Sequence, residues 1–281
     1  MMVTRKARFS AIVDNDFAGD PDGLVSLAHL ALAPAVDLVL VTTTPVDPKL
    51  ADAAGISASD TAESGRDLAL EMFDVAGITA PEVVAGGQPG ESRPGRAAAA
   101  IATVTAGNLP LVILCGGPLT NIAAALRLRP GLADDAALVW IGGTRADGDP
   151  EYNFDTDPAA AAAVLGSGIP IVQVPREEYE RQRVSIAEIE ADLAGTGLLG
   201  RWLAEKLLDV PPFVTLHGAI TLGDCALASV AALEPHHLAG ADRTTLVQGL
   251  DNRLVWADFL ALLRLHRHTP TPHPRDTKGT S

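Results

Sequence analysis

The run Phe9-Ser10-Ala11-Ile12-Val13-Asp14-Asn15-Asp16-Phe17-Ala18-Gly19-Asp20-Pro21-Asp22-Gly23 changes character after Val13. An apolar segment of strand length gives way to four carboxylates within residues 14–23, and an apolar helix face follows from Leu24 to Leu32. Strand, polar loop and helix form the repeating unit of a parallel sheet. The unit recurs along the chain. Further strands are expected at Val36 to Thr42, Pro81 to Ala85, Leu111 to Cys115, Ala137 to Ile141 and Ile169 to Val174. Helices are expected around Ala62 to Val75, Leu119 to Leu128 and Pro158 to Leu165. Strands that read as unbroken apolar runs lie in sheets covered on both faces. The expectation is therefore an α/β fold: a mostly parallel open sheet, helices on both faces, and a helical C-terminal part from Val184 onward. No linker or fixed-period repeat divides the chain, so residues 1–268 read as one domain. Residues 269–281 are Pro/Thr-rich and read as a disordered tail.

Composition narrows the partners. The chain has 281 residues, 47% apolar, enough for a sizeable core. Its formal net charge of −14 argues against nucleic acid and against anionic lipid as partners. No apolar stretch approaches the roughly 20 residues of a membrane span. The start MMVTRKARFSAIVD runs straight into a strand, without the apolar core or cleavage site of a signal peptide. Cys115 and Cys225 lie far apart in apolar contexts and read as free thiols. A cytoplasmic protein is the expectation.

Ligands on open parallel sheets bind outside the carboxyl ends of the strands. Three polar loops fall there: DNDFAGDPDG after the first strand, CGGPLTN after the strand ending at Cys115, and GGTRADGDPEYNFDTD after the strand ending at Ile141. In the first loop, Asp20 before Pro21 has the N-cap and N1 pattern, and Asp22 suits the first helical turn. Capping leaves Asp14 and Asp16 unexplained. A calcium loop of the EF-hand type fails on spacing, because Val25 stands where the closing Glu belongs. A phosphatase nucleophile at Asp14 or Asp16 lacks the Gly-Thr or Gly-Val that normally follows. A hard cation held by carboxylates and backbone carbonyls remains, and Ca²⁺ or Mg²⁺ suits such oxygen ligands. Asp224, heading the apolar run Asp224-Cys225-Ala226-Leu227-Ala228, reads equally as a helix cap or as a distant ligand.

Four segments together resemble the inosine–uridine-preferring nucleoside hydrolase family: VDNDFAGDPDGLVSLAHL, CGGPLTNIAAALRLRP, IGGTRADGDPEYNFDTDPAAAAAVL, and LGDCALASVAAL with GLDNRLVWADFLALL. They occur in the family's order across nearly the whole chain. The resemblance implies hydrolysis of an N-glycosidic bond through an oxocarbenium-like ribosyl transition state, which nearby negative charge favours. It implies a metal cofactor, Ca²⁺ before Mg²⁺, that activates a water. Asp16 matches the general base and a metal ligand. Thr120 matches the residue whose carbonyl binds metal, and Asp224 the distal ligand. Glu151 and Asn153 match ribose contacts, with Asp47 a further candidate in VTTTPVDP. The substrate implied is a small nucleoside or related N-riboside, and the assembly a homo-oligomer, dimer or tetramer.

The chain departs from the family at several places. An adjacent Asp-Asp pair is replaced by Asp20-Pro21-Asp22-Gly23, so either Asp20 or Asp22 faces the metal and the other the sugar. The family's His-Asp pair, whose His assists base departure in some members, reads Gly223-Asp224 here. His217 is the candidate replacement. The loop PGESRPGRAAAA is short. Two other readings stay open: a ribosyl-binding family member without turnover, and a Mg²⁺-dependent, phosphatase-like hydrolase.

Overall fold

The structure is a computed structural model, described for residues 6–90, 93–105, 107–146, 148–211, 214–238 and 244–267. The first half runs β1 (Phe9–Asn15), α1 (Asp22–Leu32), β2 (Val36–Thr43), α2 (Pro48–Ala53), α3 (Thr61–Ala76), β3 (Glu82–Ala85), α4 (Arg96–Thr103), β4 (Leu111–Cys115) and α5 (Thr120–Leu128). It continues with α6 (Leu132–Asp135), β5 (Ala136–Ile141), α7 (Tyr152–Thr156), α8 (Pro158–Leu165), β6 (Ile171–Val174) and α9 (Arg176–Tyr179). The C-terminal part contains β7 (Arg183–Ser185), α10 (Ile186–Glu188), α11 (Leu198–Leu208), β8 (Ala219–Thr221), α12 (Cys225–Ala228), β9 (Thr244–Leu246) and α13 (Asn252–Arg267).

Among the described residues the main sheet has seven strands in the order β3-β2-β1-β4-β5-β6-β9. Every pairing in it is parallel. Strand order reverses direction between β1 and β4, and a crevice opens at such a switch point. Successive strand residues feed opposite cores. Val13, Val41, Leu114, Val139 and Val172 pack on one face with α1, α3, α11 and α13. Ile12, Leu40, Ile113, Leu138 and Ile171 pack on the other with α4, α5 and α8. Burial on both faces is why these strands read as continuous apolar runs.

The structure corrects several expectations. β1 continues through Asp14 and Asn15, because Asp14 pairs with Thr42 and with Cys115 on the flanking strands. The C-terminal part is mostly helical, as expected, and adds three short strands. Thr244-Thr245-Leu246 joins the sheet beside β6, and β7 pairs with β8 in a separate two-stranded antiparallel sheet. These three-residue strands carry no usable period, and partners distant in sequence define them. Both cysteines are free and buried, as expected. Among the described residues no helix is long and apolar enough to cross a membrane. The expected tail, residues 269–281, lies outside the described residues.

Candidate active site

The carboxyl ends of β1, β2 and β4 carry a set of buried polar side chains. Parallel register sets Asp14 between Thr42 and Cys115. Thr42 Oγ1 donates to Asp14 Oδ1 at 2.5 Å, and Asn121 Nδ2 donates to the same oxygen at 2.8 Å. Burial pushes Asp14 up to about 6 against those donors. Asp14 is thus held by the sheet itself and is not free for nucleophilic attack.

Asn15 links the first loop to the C-terminal part. Its Oδ1 accepts the Asp16 backbone N–H at 2.8 Å, and its Nδ2 donates to Asp224 Oδ2 at 2.8 Å. The Asp224 N–H donates to Asp22 Oδ2 at 2.9 Å. Asp14, Asn15, Asp16, Asp22 and Asp224 are all buried. Asp16 is pushed up to about 7, first by burial and then by Asp20 and Asp14. Burial and the charge of Asp20 also raise Asp22 and Asp224 well above the ordinary carboxylate range. Such a cluster stays ionised only with a compensating positive charge.

Glycines make this packing possible. A Cβ on Gly116 would lie 2.5 Å from Asn15 Nδ2 and 2.7 Å from Asp224 Oδ1. A Cβ on Gly23 would lie 2.6 Å from Asn15 Nδ2. Position 23 therefore has no room for a carboxylate, and the neighbouring Asp22 is the residue turned inward.

The first loop does not cap as expected. α1 begins at Asp22, with Pro21 at the cap position and no side-chain capping bond. Asp20 is exposed, and its backbone carbonyl, not its carboxylate, accepts the Gly23 N–H at 3.2 Å. The chain first makes a turn on the Asp16 carbonyl, which accepts from Gly19 and Asp20. That turn moves the helix start two residues past Asp20. Asp224 likewise makes no side-chain cap bond at α12. Of its two sequence readings, the cap falls away.

The loop after β5 supplies α7. Glu151 caps it, and each Glu151 oxygen is committed. Oε2 accepts from the Gly143 and Phe154 N–H groups, and Oε1 from the Asn153 N–H and the Tyr179 hydroxyl. Asn153 Nδ2 donates to the Gly116 and Ile141 carbonyls at 2.9 Å each, leaving its buried Oδ1 without a partner. Thr120 opens α5, and its hydroxyl donates to Asp157 Oδ2 at 2.7 Å. Asp47 caps α2 through Lys49 and Leu50. His217 is exposed on the segment entering β8. A cleft lined by Gln88, Thr120, Asn121 and Asp157 borders the cluster.

Tyr152, which sequence reasoning passed over, joins two loops to the cluster. Its hydroxyl donates to Asp16 Oδ2 at 2.9 Å and accepts the Asp47 N–H at 3.2 Å. Asn15 and Asn121 were also missed. The available signal was their place inside the two strand-end motifs, DND and PLTN.

Asp22 Oδ1, Thr44 Oγ1 and Asn153 Oδ1 are buried without hydrogen-bond partners. Buried polar atoms without partners are exceptional and call for an explanation. Oxygen donors of this kind fit a hard cation or sugar hydroxyls. The carboxylates of Asp16, Asp22 and Asp224 are not drawn into a tight cage. Among the described residues, only surface Glu234, His236 and His237 bring three such ligand atoms within 4.8 Å of one another.

The profile of the inosine-uridine preferring nucleoside hydrolase family matches residues 11–245. A pyrimidine-specific ribonucleoside hydrolase, RihA, of Salmonella agona (strain SL483) is 34% identical over 93 residues, 31% of this chain and 30% of that protein. That match spans about a third of the curated relative. An inosine-guanosine nucleoside hydrolase structure superposes with a TM-score of 0.70 at 16% identity, covering 92% of this chain and 98% of the other. An inosine-uridine preferring nucleoside hydrolase from Bacillus anthracis gives a TM-score of 0.67 at 19% identity, covering 91% and 99%. These likenesses establish the fold, and the profile establishes the family. The chain belongs to the inosine-uridine preferring nucleoside hydrolase family.

Proposed function

We propose that the chain hydrolyses the N-glycosidic bond of a ribonucleoside or related N-riboside, with Asp16 as general base. The observation that carries this reading is the buried carboxylate set at the switch point, with Asp22 Oδ1 and Asn153 Oδ1 unpaired beside it. Asp16, Asp22, Asp224 and the Thr120 carbonyl would hold Ca²⁺, with Asp22 in preference to exposed Asp20. When bound, the ion lowers the pKa of a coordinated water.

The chain's own residues account for the other steps. Tyr152 holds Asp16 Oδ2, so the second oxygen, Oδ1, is the one directed at the water proton. Ionised carboxylates favour the positive charge that develops on the sugar ring as the bond to nitrogen lengthens. Asn153 Oδ1 is a free acceptor for a ribose hydroxyl. Glu151 acts one step away by fixing the loop that carries Asn153, because its own oxygens are occupied. Asp47 lies at the sugar's edge through its backbone tie to Tyr152, and Asp20 lines the exposed side. The homo-oligomer and the cytoplasmic location belong to the same proposal, the first measurable by light scattering.

The test is ribose release from a panel of nucleosides, with phosphate release from an aryl phosphate measured alongside. Ribose release that Asp16→Ala abolishes supports the reading. Phosphate release without ribose would overturn it.

A further inference from the structure

Resting on that reading, the side of the site that faces the departing base determines a class of substrate. When the C1′–N bond breaks, its electron pair goes to the nitrogen. A neutral purine or pyrimidine would leave as an anion, so a proton is normally delivered to it. This chain has Gly223 where the resemblance expects a histidine, and a side chain there would crowd the Tyr179 ring. A Cβ on Gly223 would lie 3.0 Å from Cδ2 of Tyr179.

The nearby buried protons are committed elsewhere. The Tyr179 hydroxyl donates to Glu151 Oε1 at 2.8 Å, and the Tyr152 hydroxyl to Asp16 Oδ2 at 2.9 Å. His217 is exposed, and His29 is buried against Asp258 at 3.0 Å. The largest charge effects on Asp16, Asp22 and Asp224 come from one another and from the carboxylates of Asp14, Asp20 and Glu151. Arg93 and Arg127 line the bordering cleft, and a guanidinium does not give up its proton in a protein.

We propose that the site serves N-ribosides whose leaving group is a positively charged, N-quaternised ring, which departs neutral and needs no proton. The balance closes without an acid. The bonding pair neutralises the ring, the water oxygen bonds to C1′, and one water proton passes to Asp16. A cationic riboside plus water gives ribose, a neutral base and one proton. An acidic surround also attracts such a substrate.

The experiment measures kcat/KM for ribose release by the full chain on five substrates. N7-methylguanosine and nicotinamide riboside are cationic, p-nitrophenyl riboside releases a stable phenolate, and inosine and uridine require protonation. The first three should exceed the last two by about 10²–10⁴-fold, the usual worth of a general acid. Inosine or uridine within about tenfold of the cationic pair overturns the inference and leaves the ribosidase reading standing. A high rate on the phenyl riboside alone also overturns it. No ribose from any of the five brings down the ribosidase reading itself. Tyr179→Phe should leave the ratio between substrates unchanged. A loss confined to inosine and uridine would make Tyr179 the proton donor and refute the proposal.

Discussion

The strand-end carboxylates and the surroundings of Gly223 meet at Asp224, but they are held differently. Thr42 and Asn121 donate to Asp14, Tyr152 to Asp16 and Asn15 to Asp224, each from another element of the chain. Around Gly223 there is an aromatic ring and, earlier in the chain, an exposed histidine. Buried charge tolerates no loose partner, because each unpaired group costs several kcal/mol.

The largest effect should come from within the cluster. Asp16→Ala is expected to lower kcat by about 10³-fold or more with an unchanged far-ultraviolet spectrum, measured as ribose release. A variant that retains half its activity would place the base elsewhere. Next, Asp22→Asn and Asp224→Asn should each weaken Ca²⁺ binding by about 10–100-fold in calorimetry, whereas Asp20→Asn should change it less than about threefold. Equal effects at Asp20 and Asp22 would erase the distinction between the buried and exposed carboxylates.

Stability without metal should depend on pH in a defined direction. Asp14 and Asp16 are raised to about 6 and about 7 in the folded chain. Their protonated forms are favoured by folding, so this contribution is complete below the ordinary carboxylate range and is lost as pH rises through 6 and 7. In chelator, Tm should fall by several degrees between pH 5.5 and 8, and Ca²⁺ should shrink that fall. A flat profile in chelator would show that the cluster is compensated by another charge. Tyr152→Phe should cost about tenfold in kcat through a less well-held Asp16, with little change in KM. The smallest effect belongs to the other half. His217→Ala should change kcat/KM by less than about twofold, and a larger loss would return this histidine to the site.

Much of the fold was legible because period and burial are local properties. Phe9 to Val13, Leu111 to Cys115 and Ala137 to Ile141 are apolar on both faces, and only a doubly covered sheet accommodates that pattern. The exceptions are short. Thr244–Leu246 is exposed and acquires strand geometry only by pairing with β6. In the site, the carboxylates of DNDFAGDPDG were evident, but their ranking was not.

The residues alone determined a parallel α/β sheet whose polar loops collect at one edge, and a carboxylate supply there too large for capping. Tertiary structure decided which carboxylates matter. Asp22 and Asp224 are 202 positions apart, and the bond between them forms only after α1 and α12 pack. Asp20, two residues from Asp22, faces solvent because the turn on the Asp16 carbonyl is completed first. Gly23 cannot be a ligand because Asn15 and Asp224 occupy its side-chain space. Local chemistry supplies the charges, and long-range packing sets which of them are removed from water.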